Sequence, residues 1–162
     1  MTTQWRPAIV ADAHRIATLA RAELGEYGEA AELYAERIAL APDGCWVLVD
    51  EADTVIGHCI SHPWVRRTPP AMHILLGSLP PNPDCWYLHD VVVAPAARGT
   101  KAVERLLPIL SRIATTHDIM TLALIAVGGA DAYWSRQGFV ATPGDAKGFG
   151  KDALYMERTA VA

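Results

Sequence analysis

The sequence lacks any long apolar run. No stretch approaches the roughly 20 consecutive apolar residues that a membrane-spanning helix needs, and the opening residues MTTQWR contain no apolar segment of the signal-peptide kind. Basic residues are also scarce, because 14 Lys and Arg stand against 18 Asp and Glu and the formal net charge is −4. Since phosphate neutralisation takes clustered Lys and Arg, we expect no binding to nucleic acid. Because apolar segments of the membrane-spanning and signal-peptide kinds are missing, we expect a cytoplasmic protein that does not bind a membrane.

Cysteine is sparse as well. Cys45, Cys59 and Cys85 are odd in number, lie far apart and show neither CxxC nor zinc-finger spacing. The cysteine pattern therefore disfavours a disulfide framework, and we predict reduced thiols. The histidines and cysteines between residues 58 and 89 could in principle gather around a metal ion, but the paired local spacings of zinc sites are missing. We expect no metal.

What the sequence does contain is enough apolar material for a core. Of its 162 residues, 51% are hydrophobic and 20% are charged, which is the composition of a globular protein. This length is typical of one domain, so we predict that residues 1–162 form a single domain. A homodimer is compatible with this composition.

Apolar periodicity predicts the element order β-α-α-β-β-β-α-β-α-β-β. The predicted strands cover residues 5–10, 45–50, 54–61, 85–94, 121–127, 139–142 and 154–158. The predicted helices cover residues 13–24, 29–40, 100–117 and 130–137. Asp12 is placed to cap the first helix, and Pro108 is expected to bend the third because proline removes a hydrogen bond from a helix interior.

Residues 63–84 interrupt this regular pattern. They contain six prolines around a short apolar stretch and have room for one or two helical turns. Loops longer than about 12 to 15 residues in a compact domain usually serve a function or are disordered. The prolines and Trp64 favour an ordered segment, and two roles stay open: a lid over a substrate, or a solvent-facing insertion or dimer contact.

The segment VAPAARGTK, residues 93–101, joins the strongest predicted strand to the third helix. The first amides of a helix have no partner within the helix, and the helix dipole adds positive potential, so phosphate groups bind at such ends. Arg98 could add a charge-assisted contact. Taken alone, the segment is better explained as an ordinary strand-to-helix turn, because a lone glycine-containing turn is weak evidence for a ligand.

In this region the chain resembles the GNAT superfamily of acyl-coenzyme A-dependent acyltransferases. The family signature runs from a strand through Val-x-Pro-x-x-Arg/Gln-Gly-x-Gly-x-Gly/Ala into a helix with Leu-Leu. This sequence reads VAPAARGTKAV from Val93, followed by Leu106 and Leu107, and YWSRQGF from Tyr133 is similar to the family's aromatic-x-x-x-Gly-Phe segment. The resemblance covers nearly the whole chain except residues 63–84. It implies an α/β (α+β) fold with a mixed, mostly antiparallel sheet of about six or seven strands, flanked by about four helices.

The resemblance also implies a donor site. The amides of residues 98–103 would hold the pyrophosphate of acetyl-coenzyme A, and main-chain groups of Val91 and Val93 would pair with its pantetheine arm. The strand that ends at Val93 would splay from the next one, with the thioester in the gap. The implied donor-site residues are Val91, Val92, Val93, Arg98, Gly99, Thr100, Lys101, Ala102, Val103 and Trp134.

Three residues depart from the family pattern. Lys101 and Val103 stand where members usually have Gly or Ala, so their side chains could crowd the phosphates, or Lys101 could reach one as a point charge. Trp134 stands where many members carry the tyrosine that protonates the leaving thiolate, and an indole cannot serve as that acid. The candidates for the acid are Tyr133, Tyr155, Ser135 and a water. Tyr133 is expected to point elsewhere on its helix, and packing with a satisfied hydroxyl is the other interpretation of both tyrosines.

Attack by an amine requires removal of a proton, and a histidine or a carboxylate near the cleft suits that task. His89 is the first candidate for the base, in the segment YLHD, which resembles the His-x-His segment of the arylalkylamine acetyltransferases. Asp90 is the alternate base or the group that binds a cationic amine. Strand alternation places the two on opposite faces unless a bulge changes the parity, and a buried structural role for either stays open. His58 and His62 are weaker candidates.

Residues 147–156 lead into the last predicted strand, which borders the acceptor pocket in the family. Their glycines suggest a flexible flap, and a plain hairpin loop is the other interpretation.

These observations predict an N-acetyltransferase that transfers an acetyl or other short acyl group from acyl-coenzyme A to a primary amine, on a small molecule or a peptide, by direct attack. No cysteine lies beside an evident base, although an acyl-enzyme on Cys85 stays open. Two other functions also stay open: a module that binds acyl-coenzyme A without turnover, and an unrelated domain that binds another anion at Arg98 and Gly99. The aromatic residues around the cleft either select an apolar or arylalkyl amine or belong to the core.

Overall fold

The computed structural model describes residues 1–161 and contains seven strands and four α-helices. The strands are β1 (Gln4–Pro7), β2 (Cys45–Val49), β3 (Val55–Trp64), β4 (Cys85–Val93), β5 (Thr121–Ala126), β6 (Val140–Ala141) and β7 (Leu154–Thr159). The helices are α1 (Ala13–Leu24), α2 (Ala31–Leu40), α3 (Ala102–Thr116) and α4 (Asp131–Arg136). The predicted element order is confirmed.

The strands form one sheet in the order β1-β2-β3-β4-β5-β7-β6. Neighbouring strands are antiparallel except β4 and β5, which are parallel and are connected through α3. The mixed, mostly antiparallel sheet expected from the sequence is therefore confirmed. A parallel pair needs a long crossover connection, and α3 supplies it.

The core occupies both faces of this sheet. On one face α3 buries Leu106, Leu110 and Ala114, spaced four residues apart, against Trp86 and Leu122 of the strands. On the other face α1 and α2 pack side chains onto β2 and β3. The buried residues of that second layer include Ile16, Ala20, Tyr34, Ile38, Val47 and Ile60. Each fully buried large aliphatic side chain stabilises the folded state by about 1.5 to 3 kcal/mol relative to leaving it exposed.

Several boundaries differ from the prediction. β1 ends at Pro7, because residues 10–12 form a 3-10 turn, and β3 continues to Trp64 instead of ending at residue 61. Asp12 stands at the N-cap position of α1 but makes no capping bond. Its carboxylate instead accepts the Ile9 N–H at 2.8 Å and pairs with Arg6 at 2.9 Å, so a tertiary ion pair replaces the predicted cap.

Residues 65–84 contain no helical turn. Amides of this segment donate to side chains elsewhere in the chain, as when Leu76 and Gly77 donate to the carboxylate of Glu36, and its prolines have no N–H to donate. α3 runs unbroken past Pro108, and its bend stays a prediction. Among residues 1–161, none of the helices combines the length and the apolar character needed to cross a bilayer.

Candidate active site

The site begins where β4 and β5 separate. These strands pair over only three positions, Trp86 to Leu122, Tyr87 to Ala123 and Leu88 to Leu124. Beyond them, β4 continues to Val93 while it pairs with β3 alone, and β5 continues to Ala126 while it pairs with β7. The edge of β4 that faces β5 is thus open from residue 89 onward.

A bulge in β4 coincides with this separation. Ile60 of β3 pairs with Asp90 and Ser61 pairs with Leu88, which leaves His89 as the extra residue. A β-bulge bends its strand and reverses the side-chain alternation that follows. This is the exception under which strand alternation does not place His89 and Asp90 on opposite faces. His89 reaches Glu29 just before α2, and Asp90 reaches Tyr34 within α2.

The turn from β4 to α3 lies at the same end of the gap. After a 3-10 turn at Pro95–Ala97, Gly99 has φ 88° and Lys101, at the N-cap, has φ 58° and ψ 36°. Lys101 thus adopts a left-handed conformation. Glycine adopts this conformation at no steric cost, whereas for a lysine it costs about 1 to 2 kcal/mol. Its side chain is exposed, whereas Val103 is half-buried against the core.

Arg98 is held by a carboxylate of α1. Its Nη2 donates to Glu23 Oε1 at 2.9 Å, and the arginine side chain is 64% exposed. A second carboxylate, Glu104, lies in the first turn of α3. The turn therefore presents two cations, Arg98 and Lys101, beside two carboxylates.

Two cavities meet in the gap. The first, of about 220 Å³, opens at the bulge; the second, of about 650 Å³, follows the open edge of β4 to the turn before α3. The first is lined by Leu24, Tyr27, Met72, Tyr87, Leu88, His89, Asp90, Val91, Leu124, Ile125, Val127, Ala130, Trp134 and Phe149. The second is lined by Glu23, Leu24, Val91, Val92, Val93, Ala97, Arg98, Gly99, Lys101, Ala102, Val103, Glu104, Ala130, Tyr133 and Trp134. Four residues line both, so the cavities form one continuous cleft.

Every predicted donor-site residue except Thr100 lines the second cavity. Thr100 donates its hydroxyl to the Ala97 carbonyl at 2.7 Å and stabilises the turn. The other donor-site residues, which only the family resemblance groups together in the sequence, thus line one cavity in the structure.

His89 forms a buried pair with Glu29. Its Nε2 lies 2.5 Å from Glu29 Oε1, and both side chains are only 1% exposed. Because a carboxylate only accepts, the hydrogen belongs to Nε2 and the lone pair to Nδ1. Within the described chain, Nδ1 is buried and has no hydrogen-bond partner. In the neutral imidazole, the nitrogen of His89 that is free to accept a proton is thus Nδ1.

Asp90 lies in the same buried cluster but has other partners. Its Oδ2 accepts the Tyr34 hydroxyl at 2.7 Å and lies 3.5 Å from His58 Nε2, while Oδ1 lies 4.0 Å from His89 Nε2. The Tyr34 hydroxyl also accepts the Glu29 N–H at 3.2 Å. Asp90 therefore already bonds within the fold, which disfavours it as the base.

Both carboxylates of this cluster are held in their charged form. Burial raises the pKa of Glu29, but the hydrogen bond with His89, the charge of that imidazole and the His73 N–H together outweigh burial and leave the pKa below its ordinary value. Burial likewise raises the pKa of Asp90, and the nearby His58 and His89 more than compensate. Two negative charges therefore face the imidazole of His89.

The two tyrosines proposed as acids lie in different places. Tyr155 is buried and its hydroxyl donates to Glu157 at 2.7 Å. The Tyr155 hydroxyl oxygen also accepts the Arg67 N–H at 2.9 Å. The ring of Tyr133 lines the second cavity, and burial together with the charge of Glu104 raises its pKa to about 12. Tyr133 therefore reaches the donor side of the cleft, contrary to the expected direction.

Trp134 lies at the junction of the two cavities. Its ring stacks edge-on against Phe139 with centroids 5.4 Å apart, and against Tyr133 at 5.2 Å. The indole closes the α4 side of the cleft through packing.

Two loops complete the first cavity. Met72 of the proline-rich segment and Phe149 of residues 147–156 both line it, and Phe149 is buried. The segment thus contributes directly to the cleft, which favours the lid interpretation over a solvent-facing insertion.

Glu29 could not be identified from the sequence, where it marks only the start of a predicted helix. Glu29 stands 60 residues from His89 along the chain. No spacing rule connects positions so far apart, and only the packing of the loop before α2 over the bulge brings them together. Within residues 1–161, no group of three or more His, Cys, Asp and Glu side chains is arranged so that it could hold a metal ion.

The sequence matches the model of the acetyltransferase (GNAT) family over residues 13–139, more than half of the chain. A comparison with curated proteins found no match. Among solved structures, Ard1 from Thermoplasma volcanium is similar over 100% of both chains, with 15% identity and a TM-score of 0.74.

Two solved structures that contain coenzyme A are also similar. The PaiA N-acetyltransferase from Thermoplasma acidophilum aligns with 98% of this chain and 99% of its own, at 14% identity and a TM-score of 0.67. N-acetylglutamate synthase from Neisseria gonorrhoeae, complexed with coenzyme A and N-acetyl-glutamate, aligns with 100% of this chain and 36% of its own, at 18% identity and a TM-score of 0.74. At these identities the likeness concerns the fold.

Proposed function

Because this chain belongs to the acetyltransferase (GNAT) family, we propose that it transfers a short acyl group from acyl-coenzyme A to a small, apolar primary amine. The observation that carries the proposal is the continuous cleft between β4 and β5, which has the strand-to-helix turn with Arg98 and Lys101 at one end and a buried histidine at the other.

The second cavity fits the donor. The free edge of β4 at residues 91–93 offers main-chain groups to an extended amide-containing arm, and the first amides of α3 with Arg98 and Lys101 offer an anion site. Acyl-coenzyme A bound there supplies the acyl group as an activated thioester. Arg98 exchanges Glu23 for a phosphate when the donor binds.

The first cavity fits the acceptor. Its lining is mostly apolar or aromatic, contains Asp90 and includes no Lys or Arg. A cavity of about 220 Å³ admits only a small group. This lining favours an uncharged apolar body bearing one amine and disfavours an acceptor with a carboxylate, which would meet Asp90 without a compensating cation.

His89 acts as the base in this proposal. The amine proton passes to Nδ1, and the charge of Glu29 stabilises the resulting imidazolium through Nε2–H. As the nitrogen–carbon bond forms, the carbon–sulfur bond breaks, and the products are an amide and the free thiol. Tyr133 is the candidate for the acid that protonates sulfur, because it lines the donor cavity beside Trp134 and a tyrosine hydroxyl is protonated at neutral pH.

Direct attack is favoured over an acyl-enzyme. Burial raises the pKa of the Cys85 thiol to about 12, so almost no nucleophilic thiolate exists at neutral pH. Burial likewise raises the pKa of Cys45 to about 12.

An amine panel tests the function. Purified protein is mixed with acetyl-coenzyme A, its thermal stabilisation is recorded, and free thiol is then followed with apolar monoamines, amino acids and peptides. We expect stabilisation, and thiol release that is fastest with apolar monoamines. Absence of stabilisation at millimolar ligand contradicts donor binding, and stabilisation without release for any amine indicates a module that binds the donor without turnover.

A further inference from the structure

We infer that Glu29 is a positioning residue that couples the proline-rich segment to the histidine of the cleft. Its carboxylate bridges His89 and the backbone of His73, so that the docking of residues 65–84 and the orientation of the imidazole depend on one side chain. The kinetic part of this inference rests on the proposed function, whereas the structural part does not.

Each oxygen of Glu29 has a different partner. Oε1 lies 2.5 Å from His89 Nε2, and Oε2 accepts the His73 N–H at 2.6 Å. The side chain is 1% exposed, so water does not compete for either bond. A buried carboxylate that accepts from two elements fixes the position of each relative to the other.

The segment is docked onto α2 by a second carboxylate in the same way. Glu36 accepts the Leu76 N–H at 2.7 Å through Oε1 and the Gly77 N–H at 2.8 Å through Oε2. His73 is further held by a contact of 3.1 Å between its ring Nε2 and the Glu26 carbonyl. Residues 73–77 are thus anchored at both ends, but only the Glu29 anchor touches the cleft histidine.

The position of His73 links the anchor to the cavity wall. His73 has φ 62°, a left-handed conformation that costs energy for a residue other than glycine, and Met72 directly before it lines the first cavity. The bond to Glu29 offsets that cost. When the segment docks, Met72 closes the cavity and Glu29 is held against His89 in a single arrangement.

Other groups also face His89. Asp90 Oδ1 lies 4.0 Å from its Nε2, the Tyr87 ring centroid lies 6.1 Å from the imidazole centroid, and His62 packs on the far side of Tyr87 at 5.8 Å. Of these groups, Glu29 alone is within hydrogen-bonding distance of the imidazole. It therefore fixes the tautomer, with the hydrogen on Nε2.

The substitution Glu29→Gln tests the coupling. An amide has one accepting oxygen, whereas Glu29 faces two donors. If the amide oxygen stays on the His73 N–H, its NH₂ group meets Nε2 and moves the hydrogen to Nδ1; if the oxygen stays on His89, the His73 N–H loses its acceptor. Glu36→Gln is the matched control, because it removes one acceptor from the same segment without touching His89.

Two measurements read the result without any activity. In ¹⁵N-labelled protein, imidazole spectra assigned with His89→Gln report the tautomer, and amide hydrogen exchange reports the anchors. We expect Glu29→Gln either to switch the tautomer or to speed exchange of the His73 amide at least about tenfold. Glu36→Gln should speed exchange of Leu76 or Gly77 and leave the His89 tautomer unchanged. The inference is overturned if Glu29→Gln shows neither change, or if both variants show the same tautomer switch.

A kinetic arm adds the link to turnover. With the best amine, Glu29→Gln should lower kcat about tenfold or more, with acetyl-coenzyme A affinity retained, and should move the acidic limb of the kcat profile to lower pH because a charge facing the imidazolium is gone. Glu36→Gln should leave the position of that limb unchanged. If the wild-type protein releases no thiol, the proposed function fails while the spectra and exchange still decide the coupling; a limb unmoved in Glu29→Gln overturns the positioning role.

Discussion

Arg98 and Glu23 set the charge that an incoming phosphate meets. The pair is largely exposed on the arginine side, so it is worth no more than about 1 kcal/mol. We predict that Glu23→Gln tightens coenzyme A binding about two- to fivefold, because Arg98 no longer has to leave a carboxylate, and that Arg98→Gln weakens it. Titration calorimetry at two salt concentrations checks both signs. Weaker binding by Glu23→Gln would show that Glu23 orients Arg98 instead of competing for it.

Trp134 offers a second test at the scale of one residue. Its indole packs on Phe139 and supplies no proton, so Trp134→Phe should keep kcat within about threefold of the wild type. Trp134→Tyr places a hydroxyl at the junction of the cavities and should raise kcat about tenfold if thiolate protonation limits turnover. Steady-state thiol release with the best amine measures both. A large loss in Trp134→Phe alone would mean that the indole itself contacts the substrates.

Among the elements, α3 carries an exposed proline in its interior. Pro108→Ala restores a backbone hydrogen bond, and the gain exceeds the entropy that proline removes from the unfolded chain. We predict that the free energy of unfolding rises by about 1 kcal/mol, measured by urea denaturation. Arg112→Ala, an exposed position on the same helix, is the control and should change it by less than about 0.5 kcal/mol. A stability loss in Pro108→Ala would show that the bend predicted at Pro108 is needed for packing.

Sequence patterns predict individual helices and strands well, because the apolar spacing that defines each element lies within a short stretch of the chain. The spacing of Leu106, Leu110 and Ala114 is sufficient to predict α3 and its buried face. The bulge at His89 is different, because its extra residue is defined only by the register with β3. Strand alternation could therefore locate the candidate base but not its direction, and the bond from Glu29 arises from packing across 60 residues.

For the whole molecule, buried His62 makes stability depend on pH. Burial lowers its pKa to about 3. The charges of Arg37 and His89 lower the pKa further, whereas the hydrogen bond with the Pro63 carbonyl raises it. Below about pH 6.5 the unfolded chain therefore binds a proton at this histidine that the folded chain does not bind. The free energy of unfolding consequently falls as the pH drops. From pH 7.5 to pH 5.5 the loss due to His62 should be about 1 kcal/mol.

Urea denaturation of the wild type and of His62→Gln checks this dependence. The variant should lose less stability over that interval, whatever its stability at pH 7.5. The carboxylates of Glu29, Asp90 and Glu157, whose pKa values lie below their ordinary values, act only at lower pH, because their stabilisation is lost as they become protonated. Equal slopes in both proteins would assign the acid sensitivity to another group.

The cleft between β4 and β5 is the proposed binding site of the acyl donor. Ala130 lines both cavities, so Ala130→Trp fills their junction. Calorimetric titration with acetyl-coenzyme A should show one site in the wild type and at least about tenfold weaker binding in Ala130→Trp, with the melting temperature of the free variant retained. No binding by the wild type, or equal binding by a folded Ala130→Trp, would contradict donor binding in this cleft.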